Sequence, residues 1–433
     1  MKGTIRLTVL SLAALVLAAL VLSATCAPAT AQVVSGDWTA GLGGSDISRS
    51  KEVHLDLRVD HARHFAGGRL AETAGLLLPA EYPKHTLFYS SWKIVSAADW
   101  SSGFFPGSFW LLFEQTGDVA WRTPAETWTA GIEDQKFNTT THDVGFMIFC
   151  SFGNGFRLTG DPAYRDVVLQ AAQSLASRFD PVVGCIRSWD FGLWQFPVIV
   201  DNMMNLEILF WAAANGGDPL WYDMALSHAL KTIDNHLRAD GSTYHVVDYD
   251  PLTGGVVDRS TWAGYASDST WSRGQAWAVH GFTMAFRETA EPALLAAAEA
   301  VAGYFVDNLP ADGVPYWDFD APGIPNTERD SSAAAIGAAG LLELSALTGD
   351  PLLQRKYYDA ARKILLSLAT PVAEGGYLAE DGAGQPLSAG VLMHGCAIHP
   401  DSYAGGNIPD ESLIWGDYYF LEALGRYERI LPP

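Results

Sequence analysis

Two kinds of helical segment alternate along most of the chain. In one kind, apolar residues cover nearly the whole circumference; in the other, they cover one face and polar residues cover the opposite face. A short turn joins each apolar helix to the amphipathic helix after it, as in QTGDVAW, LTGDPAY, NGGDPLW, ETAEPAL and LTGDPLL. In most of these turns a Gly closes one helix, an acid caps the next and a Pro occupies its first turn, the acids being Asp118, Asp161, Asp218, Glu291 and Asp350. The pattern indicates a repeated helical hairpin with loops of variable length.

Five apolar helices precede these turns and a sixth ends the chain: GFFPGSFWLLFEQ, VGFMIFCSFGNGFRL, NMMNLEILFWAAAN, GQAWAVHGFTMAFRE, SSAAAIGAAGLLELSAL and ESLIWGDYYFLEALGRYERI. Helices of this kind are buried, whereas the amphipathic helices form an outer layer. Six inner and about six outer helices, joined alternately, predict an all-α fold, an (α/α)6 barrel. We expect residues 100–433 to form this barrel as a single domain, with the segment 32–99 packing on it.

The alternation of inner and outer helices predicts where a functional site would lie. If every inner helix ends at a turn on one rim, every inner helix begins on the other rim. The long loops 179–200, 239–270, 309–328 and 370–409 open onto that second rim, and the chain has fifteen tryptophans. Aromatic rings beside polar groups are typical of sugar-binding clefts. Polar and aromatic residues from distant positions would meet there: Trp100, Asp143, Asp201, Arg273, Asp330 and Asp410.

The first residues of the chain predict export. Lys2 and Arg6 precede an apolar stretch over 7–22, and Ala29, Thr30 and Ala31 fit a signal peptidase site. The apolar stretch is short for a membrane span. We therefore predict a signal peptide over residues 1–31, a periplasmic or secreted protein, and no membrane association once the signal peptide is removed.

Charge and cysteine content exclude several classes of partner. The formal net charge is −22, which disfavours nucleic acid as a partner and means that an anionic ligand must be captured by local groups. Cys150, Cys185 and Cys396 would remain after export, and three thiols do not make a disulfide framework. No zinc pattern or phosphate-binding Gly-rich loop stands out, so we expect no metal and no cofactor. The oligomeric state stays open.

Two acidic residues are candidates for catalysis. Asp201 begins the third inner helix in VIVDNMMNLEILFW, and Asp143 begins the second in THDVGFM. Each taken alone has a simpler interpretation as a helix cap. Neighbouring inner helices would nevertheless place both carboxylates at one mouth, where an apolar setting favours one protonated and one ionised partner. The pair therefore predicts an acid/base site.

Three further residues are candidates for substrate contacts. Arg273 lies between Trp271 and Trp277 and could hold a sugar carboxylate, although a structural salt bridge is the alternative. His245 and His394 are candidates for hydroxyl or carboxylate contacts, or are ordinary loop histidines.

Eight stretches, in order, resemble the unsaturated glucuronyl hydrolases of glycoside hydrolase family 88: WSSGFFPGSFW, THDVGFM, VIVDNMMNLEILFW, DGSTYHVVDYDPLTG, YASDSTWSRGQAW, PYWDFDAP, RDSSAAAIGAAGLLELS and SLIWGDYYFLEALGR. The resemblance implies an (α/α)6 barrel. It also implies hydration of the C4=C5 bond in the 4,5-unsaturated uronic acid that polysaccharide lyases leave at the non-reducing end. Protonation at C4 and addition of water at C5 give a hemiketal, which opens and expels the rest of the sugar.

The resemblance also implies roles for single residues. Asp201 matches the general acid/base, and Asp143 matches the partner that holds ring hydroxyls and keeps the pKa of Asp201 raised. His245 and Arg273 match positions near the sugar, and His394 matches a loop histidine that helps close the pocket. The implied aromatic lining comprises Trp189, Trp271 and Trp277; Trp100, at the predicted mouth, and Phe105 are further candidates for substrate contacts.

The chain departs from the family pattern at two positions. Ala263 stands where Gln is frequent, and Phe105 stands where Trp is usual. Alternative functions are an unsaturated rhamnogalacturonyl hydrolase or an inverting glycosidase on the same barrel, and a carbohydrate-binding protein without catalysis. The expected substrate is an unsaturated uronic-acid oligosaccharide.

Overall fold

A computed structural model describes residues 45–430. The predicted signal peptide, residues 1–31, lies outside the described residues. One compact body begins at Ser50 and contains the elements discussed below, except the first five residues of the first helix, 45–49. Within residues 45–430, no helix combines the length and the apolar character that crossing a membrane requires.

Within the described residues, six helical segments form an inner ring. Each segment contacts the next, and the last contacts the first, so the ring closes. This closure confirms the predicted (α/α)6 barrel. The second segment begins as a π-helix, a form frequent at functional sites, and continues as α4. The inner segments are α2 (Phe104–Thr116), the π-helix Gly145–Gly153 with α4 (Asn154–Thr159), α6 (Asn202–Asn205) with α7 (Glu207–Ala214), α9 (Ser272–Thr289), α11 (Ser331–Leu347) and α13 (Ile414–Arg429).

An outer layer covers this ring. Five outer helices each pack on the inner helix that precedes them, and α1 packs outside α13 and α2. The outer helices are α1 (Ser45–Leu76), α3 (Arg122–Ala130), α5 (Pro162–Ala176), α8 (Leu220–His236), α10 (Pro292–Asp307) and α12 (Pro351–Leu368). Short 3-10 helices span Val119–Trp121, Glu133–Phe137 and Val372–Glu374.

The predicted turns between inner and outer helices are confirmed. All five acids accept a hydrogen bond from the backbone N–H two residues later, as N-cap side chains do. Gly117 and Gly160 adopt the left-handed conformation that ends a helix, with φ of 66° and 70°. These turns fix the end of the barrel at which the inner helices finish.

Short strands lie at the other end, where the inner helices begin. They form the hairpin β1 (Tyr82–Leu87) with β2 (Ser91–Val95), the pair β3 (Phe179–Asp180) with β4 (Cys185–Ile186), and the antiparallel sheet β5 (Pro197–Ile199), β6 (Val246–Tyr249) and β7 (Val256–Ser260). The chain leaves β5 directly into Asp201 and α6, which places this carboxylate where the sheet meets the ring.

The segment before residue 100 shares the barrel's core. Leu55, Val59 and Leu70 of α1 belong to the same buried apolar cluster as the inner helices. The β1–β2 hairpin is joined to the start of α13 by a bridge between His85 and Leu413. The hairpin therefore lies at the end of the barrel where the inner helices begin.

Candidate active site

A cavity of about 620 Å³ opens at the end where the inner helices begin. Its wall combines acidic, basic and aromatic side chains drawn from the hairpin, the loops and the inner helices. Both predicted acids line it, although they are far apart in sequence. The wall includes Lys84, His85, Lys93, Asp99, Trp100, Thr141, His142, Asp143, Phe146, Trp189, Phe191, Asp201, His245, Trp262, Ala263, Trp271, Arg273, Ala397 and Trp415.

Asp201 faces the cavity and does not cap its helix. It stands at the N-cap position of α6, but its side chain makes no cap hydrogen bond, so the helix-cap alternative is wrong for this residue. Its Oδ2 is buried and accepts no hydrogen bond from the described protein. Burial raises the pKa of Asp201 to about 7; Arg273 opposes this shift and Asp143 adds to it. At neutral pH this carboxyl can therefore both give and take a proton.

Asp143 is the better hydrogen-bonded member of the pair. Its Oδ2 accepts the Thr141 hydroxyl at 2.6 Å, and its Oδ1 lies 3.2 Å from His142 Nε2. Its backbone carbonyl accepts from Met147 N–H at the start of the helix, and its side chain lines the cavity. The two acids thus differ in environment: one is held by polar neighbours and the other lies against apolar walls.

Close packing of two inner helices brings the acids to one mouth. Gly145, two residues after Asp143, lies against Asn205, four residues after Asp201. A Cβ on Gly145 would lie 2.5 Å from Asn205 Oδ1 and 2.8 Å from its Cα. Asn205 Oδ1 also accepts the Phe146 N–H at 2.8 Å, across the helix contact. Only glycine fits here, and the contact fixes the relative position of both helix starts.

His245 presents one defined face to Asp201. Its Nδ1 accepts the backbone N–H groups of Trp262 and Ala263, at 3.2 and 3.3 Å. Burial lowers the pKa of His245 to about 3, so the ring is neutral and carries its proton on Nε2. Nε2 lies 3.6 Å from Asp201 Oδ2, and the ring packs on Trp271 with centroids 4.4 Å apart. His245 is therefore a fixed donor beside the acid.

Arg273 lines the cavity and also holds a loop. It forms a buried salt bridge with Asp330 and donates to the backbone carbonyls of Cys396 and Ala397. Its guanidinium carbon lies 4.5 Å from the Trp271 ring centroid. The salt-bridge alternative for Arg273 is thus present in the structure, and its contact with a substrate anion stays a prediction.

The structure separates the predicted aromatic residues into two groups. Trp100, Trp189 and Trp271 line the cavity, as expected of stacking surfaces. The prediction for Phe105 is wrong, because this ring is fully buried and packs on Phe109 and Trp128, away from the cavity.

Trp277 and His394 also lie outside the cavity wall. Trp277 is 1% exposed, packs between Phe146 and Tyr419, and has its indole beside the Asp201 carboxyl, whose pKa it lowers. It supports the acid instead of forming an aromatic wall. His394 bonds to Asp410 at 2.9 Å and so fixes the C-terminal loop.

Several wall residues were missed by sequence reasoning. Phe191, Trp262 and Trp415 complete the aromatic lining, and the hairpin contributes Lys84 and Lys93. Phe191 belongs to the loop 179–200, which the sequence predicts at this rim, whereas the hairpin belongs to the segment 32–99, for which the sequence predicts only packing on the barrel. In residues 45–430, no cluster of three His, Cys, Asp or Glu side chains could hold a metal ion, and Cys150, Cys185 and Cys396 are free thiols.

Comparison with known proteins finds one matching family model and several similar proteins. Residues 81–386 match the model of Glycosyl Hydrolase Family 88. The chain belongs to this family. An unsaturated glucuronyl hydrolase of Formosa agariphila is 43% identical over 342 residues, covering 78% of this chain and 82% of that protein. One from Bacillus sp. strain GL1 is 38% identical, covering 76% and 86%.

Solved structures of this family share the fold. An unsaturated glucuronyl hydrolase specific for heparin gives a TM-score of 0.81 at 38% identity, covering 87% of this chain and 98% of that one. The Bacillus sp. GL1 enzyme, described as responsible for the degradation of glycosaminoglycan, gives 0.77 at 35% identity, covering 85% and 97%. The family 88 chain is therefore a glycoside hydrolase on an (α/α)6 barrel.

Proposed function

We propose that this family 88 chain releases the 4,5-unsaturated uronic acid from the non-reducing end of oligosaccharides made by polysaccharide lyases. The observation that carries the proposal is the Asp201 carboxyl, which has a pKa of about 7 and faces a cavity that it shares with Asp143. A carboxyl that is partly protonated at neutral pH suits a reaction that starts with proton donation and ends with proton recovery.

The proposed reaction follows the positions of these groups. Asp201 gives its proton to C4 of the C4=C5 bond, and positive charge develops at C5 and the ring oxygen. Water adds at C5 and returns one proton to Asp201. The resulting hemiketal opens to a ketone at C5, and the hemiacetal left at C1 then expels the second sugar as an alcohol. One water is consumed for each glycosidic bond broken.

The neighbours of Asp201 stabilise this sequence. Asp143, held by Thr141 and His142, accepts hydrogen bonds from ring hydroxyls and stabilises the developing cation. His245 Nε2–H lies beside the Asp201 carboxylate and positions either that group or the incoming water. Trp100, Trp189 and Trp271 offer flat apolar surfaces for the faces of the sugars.

A turnover assay tests the proposal. Purified protein is mixed with unsaturated disaccharides from chondroitin, hyaluronan and heparin digests, and the absorbance of the double bond is followed. We expect absorbance loss with at least one of them, and no cleavage of the saturated analogue. In heavy water, deuterium should enter at C4 early in the reaction.

Variants separate the alternatives. Asp201→Asn should lower kcat by about a thousandfold, the scale of general acid/base catalysis, while ligand binding persists. Asp166→Asn, an exposed change on α5, is the matched control. Cleavage of the saturated analogue would identify an ordinary inverting glycosidase, and turnover only of unsaturated rhamnogalacturonan fragments would identify that hydrolase. Binding without turnover in the unmodified protein would identify a sugar-binding protein.

We also infer that the protein acts outside the cytoplasm, in the periplasm or the medium. The inference is supported by the signal-peptide pattern of residues 1–31 alone. N-terminal sequencing of the protein recovered from cell fractions should find a start near Gln32. An intact Met1 in the cytoplasmic fraction would contradict export.

A further inference from the structure

A bulge in the β1–β2 hairpin gathers three nitrogen-bearing side chains at the cavity. Pro83 pairs with Ile94 and Thr86 pairs with Trp92, so the strands lose register between these pairs. Lys84 and His85 therefore both lie opposite Lys93. Bulges of this kind redirect side chains beside functional sites. All three residues line the same cavity as the acid pair.

The three side chains differ in whether the protein already gives them a hydrogen-bond or ion-pair partner. Lys84 Nζ is bound to Asp99 at 2.7 Å and lies 6.0 Å from the Trp100 ring centroid. Lys93 is exposed, and within the described part of the chain it has no ion-pair partner. His85 is 8% exposed, and its buried Nδ1 has no hydrogen-bond partner in the described protein. Among the described residues, the Lys93 ammonium and the buried His85 Nδ1 thus have no protein partner.

The rest of the cavity offers few other cations. Besides the two hairpin lysines, Arg273 is the one Lys or Arg among the described wall residues, and it already bonds Asp330 and two loop carbonyls. The C-terminal loop over 394–410 contains neither Lys nor Arg. The whole chain carries a net charge of −22, so the protein does not attract an anionic substrate over long distances. An anionic group of the substrate must therefore be bound by cations in the cavity wall.

We propose that Lys93, with His85 and Lys84, forms an oxyanion subsite that selects unsaturated oligosaccharides bearing a sulfate or carboxylate group beyond the unsaturated ring. Lys93 supplies the uncompensated charge, His85 supplies a neutral ring donor, and Lys84 is held in place by Asp99. A sulfate ester or a carboxylate presents the oxygens that such donors bind. This inference rests on the proposed function, because it assigns the substrate class of the same cavity.

Lys93 is the residue to change. Removing Lys84 would leave Asp99 unpaired in the cavity, so its effect could not be assigned to a substrate contact. Lys93→Gln removes the charge and Lys93→Glu reverses it. The matched controls are Lys363→Gln and Lys363→Glu, the same changes at an exposed lysine on the outer helix α12. Thermal melting of each variant confirms that it folds.

The measurement is a ratio of kcat/KM values. One comparison uses two unsaturated disaccharides that differ by a single sulfate on the second sugar; the other uses an unsulfated disaccharide and an unsulfated tetrasaccharide with a second uronate. We expect Lys93→Gln to lower the preference for the charged substrate by about threefold and Lys93→Glu by about tenfold, mainly through KM. The Lys363 variants should keep the preference of the unmodified protein.

Each outcome decides something. A fall confined to the sulfated pair supports the subsite with sulfate as its ligand, and a fall confined to the longer substrate supports it with a carboxylate. Turnover with unchanged ratios in both comparisons, or equal changes in the Lys363 variants, overturns this inference and leaves the proposed function standing. No turnover of any unsaturated substrate overturns both.

Discussion

The two ends of the barrel use the same types of charged residue in opposite ways. At the end where the inner helices finish, a cavity of about 450 Å³ is lined by arginines and glutamates. Arg426 pairs there with Glu343 at 2.9 Å and Glu422 at 3.3 Å. Burial alone would raise the pKa of Glu422, but Arg426 and His280 lower it to about 2. At the other end, burial prevails and raises the pKa of Asp201 to about 7.

The difference shows that pairing decides what a buried carboxylate does. Cations in the last turns of the inner helices, such as Arg287 and Arg426, meet both helix dipoles and glutamates, so these charges serve stability. Asp201 has no salt-bridged arginine of its own: His245 beside it is neutral, Arg273 is paired with Asp330, and burial keeps the pKa of Asp201 near neutral pH. The comparison predicts catalytic losses at one end and stability losses at the other.

Among the changes that test this comparison, replacing Asp143 should have the largest effect. Asp143→Asn removes the charge that the developing cation needs and also lowers the pKa of Asp201, since Asp143 helps to raise it. We expect kcat to fall by about a thousandfold, with little change in melting temperature. Steady-state kinetics and calorimetry measure the two. A loss of stability with full activity in the remaining folded protein would remove Asp143 from the catalytic pair.

Removing Arg426, which pairs with two glutamates at the end where the inner helices finish, should lower stability instead of activity. Arg426→Met removes the arginine that Glu343 and Glu422 share and leaves them only Arg287 and His280, so we expect about 3 kcal/mol less free energy of unfolding. Arg429→Met is the control, because this half-exposed arginine has Glu114 as its one ion-pair partner among residues 45–430 and its loss should cost less than about 1 kcal/mol. Denaturant unfolding measures both. A large fall in kcat of folded Arg426→Met protein would contradict the separation of the two ends.

Disturbing the contact between the acid-bearing helices should affect both properties. Gly145→Ala places a methyl group against Asn205, and we expect about 2 kcal/mol of destabilisation and about tenfold lower kcat, because the helix starts move apart. Gly303→Ala, where no atom lies within 4 Å of the new Cβ, is the control. It should stabilise α10 by about 0.5 kcal/mol. Equal behaviour of the two variants would rule out a positioning contact at Gly145.

The pH dependence should be the mildest effect. Asp201 must be protonated to act first as an acid, so kcat/KM should fall about tenfold per pH unit above about pH 7. The same raised pKa makes ionisation of Asp201 oppose folding. Its contribution to stability is therefore full at acid pH and is lost as the pH rises through about 7. Asp201→Asn should consequently lose less stability between about pH 4 and about pH 7, where the unfolded carboxyl is ionised and the folded one is still protonated, and unfolding curves measure this difference.

The repeat pattern predicted most of the fold and, within the site, the meeting of the two acids. The turns at residues such as Asp161 and Asp350 rest on local capping, and helices of the two kinds have distinct periodicities, so both can be predicted from neighbours in sequence. The convergence of Asp143 and Asp201 followed from the geometry of a closed ring.

The aromatic wall could not be predicted in the same way. Trp277 lies one helical turn beyond Arg273 on the same face of α9, and is thus deeper in the core. Phe105 follows Phe104 on α2, but adjacent helical positions point about 100° apart, and only Phe104 contacts Trp100. Hydrophobicity is equal for a ring in the core and a ring that lines a cavity, so sequence alone does not separate them.

By itself, the sequence determined the helix order, the capped turns and the presence of two acids at the starts of neighbouring inner helices, because each depends on residues close together in the chain. Only the tertiary structure decided that Asp201 faces the cavity without capping its helix, that His245 carries its proton toward it, and that the hairpin adds Lys84 and Lys93 to the wall. The reason is that burial, pKa and cavity walls depend on contacts between segments that are remote in sequence.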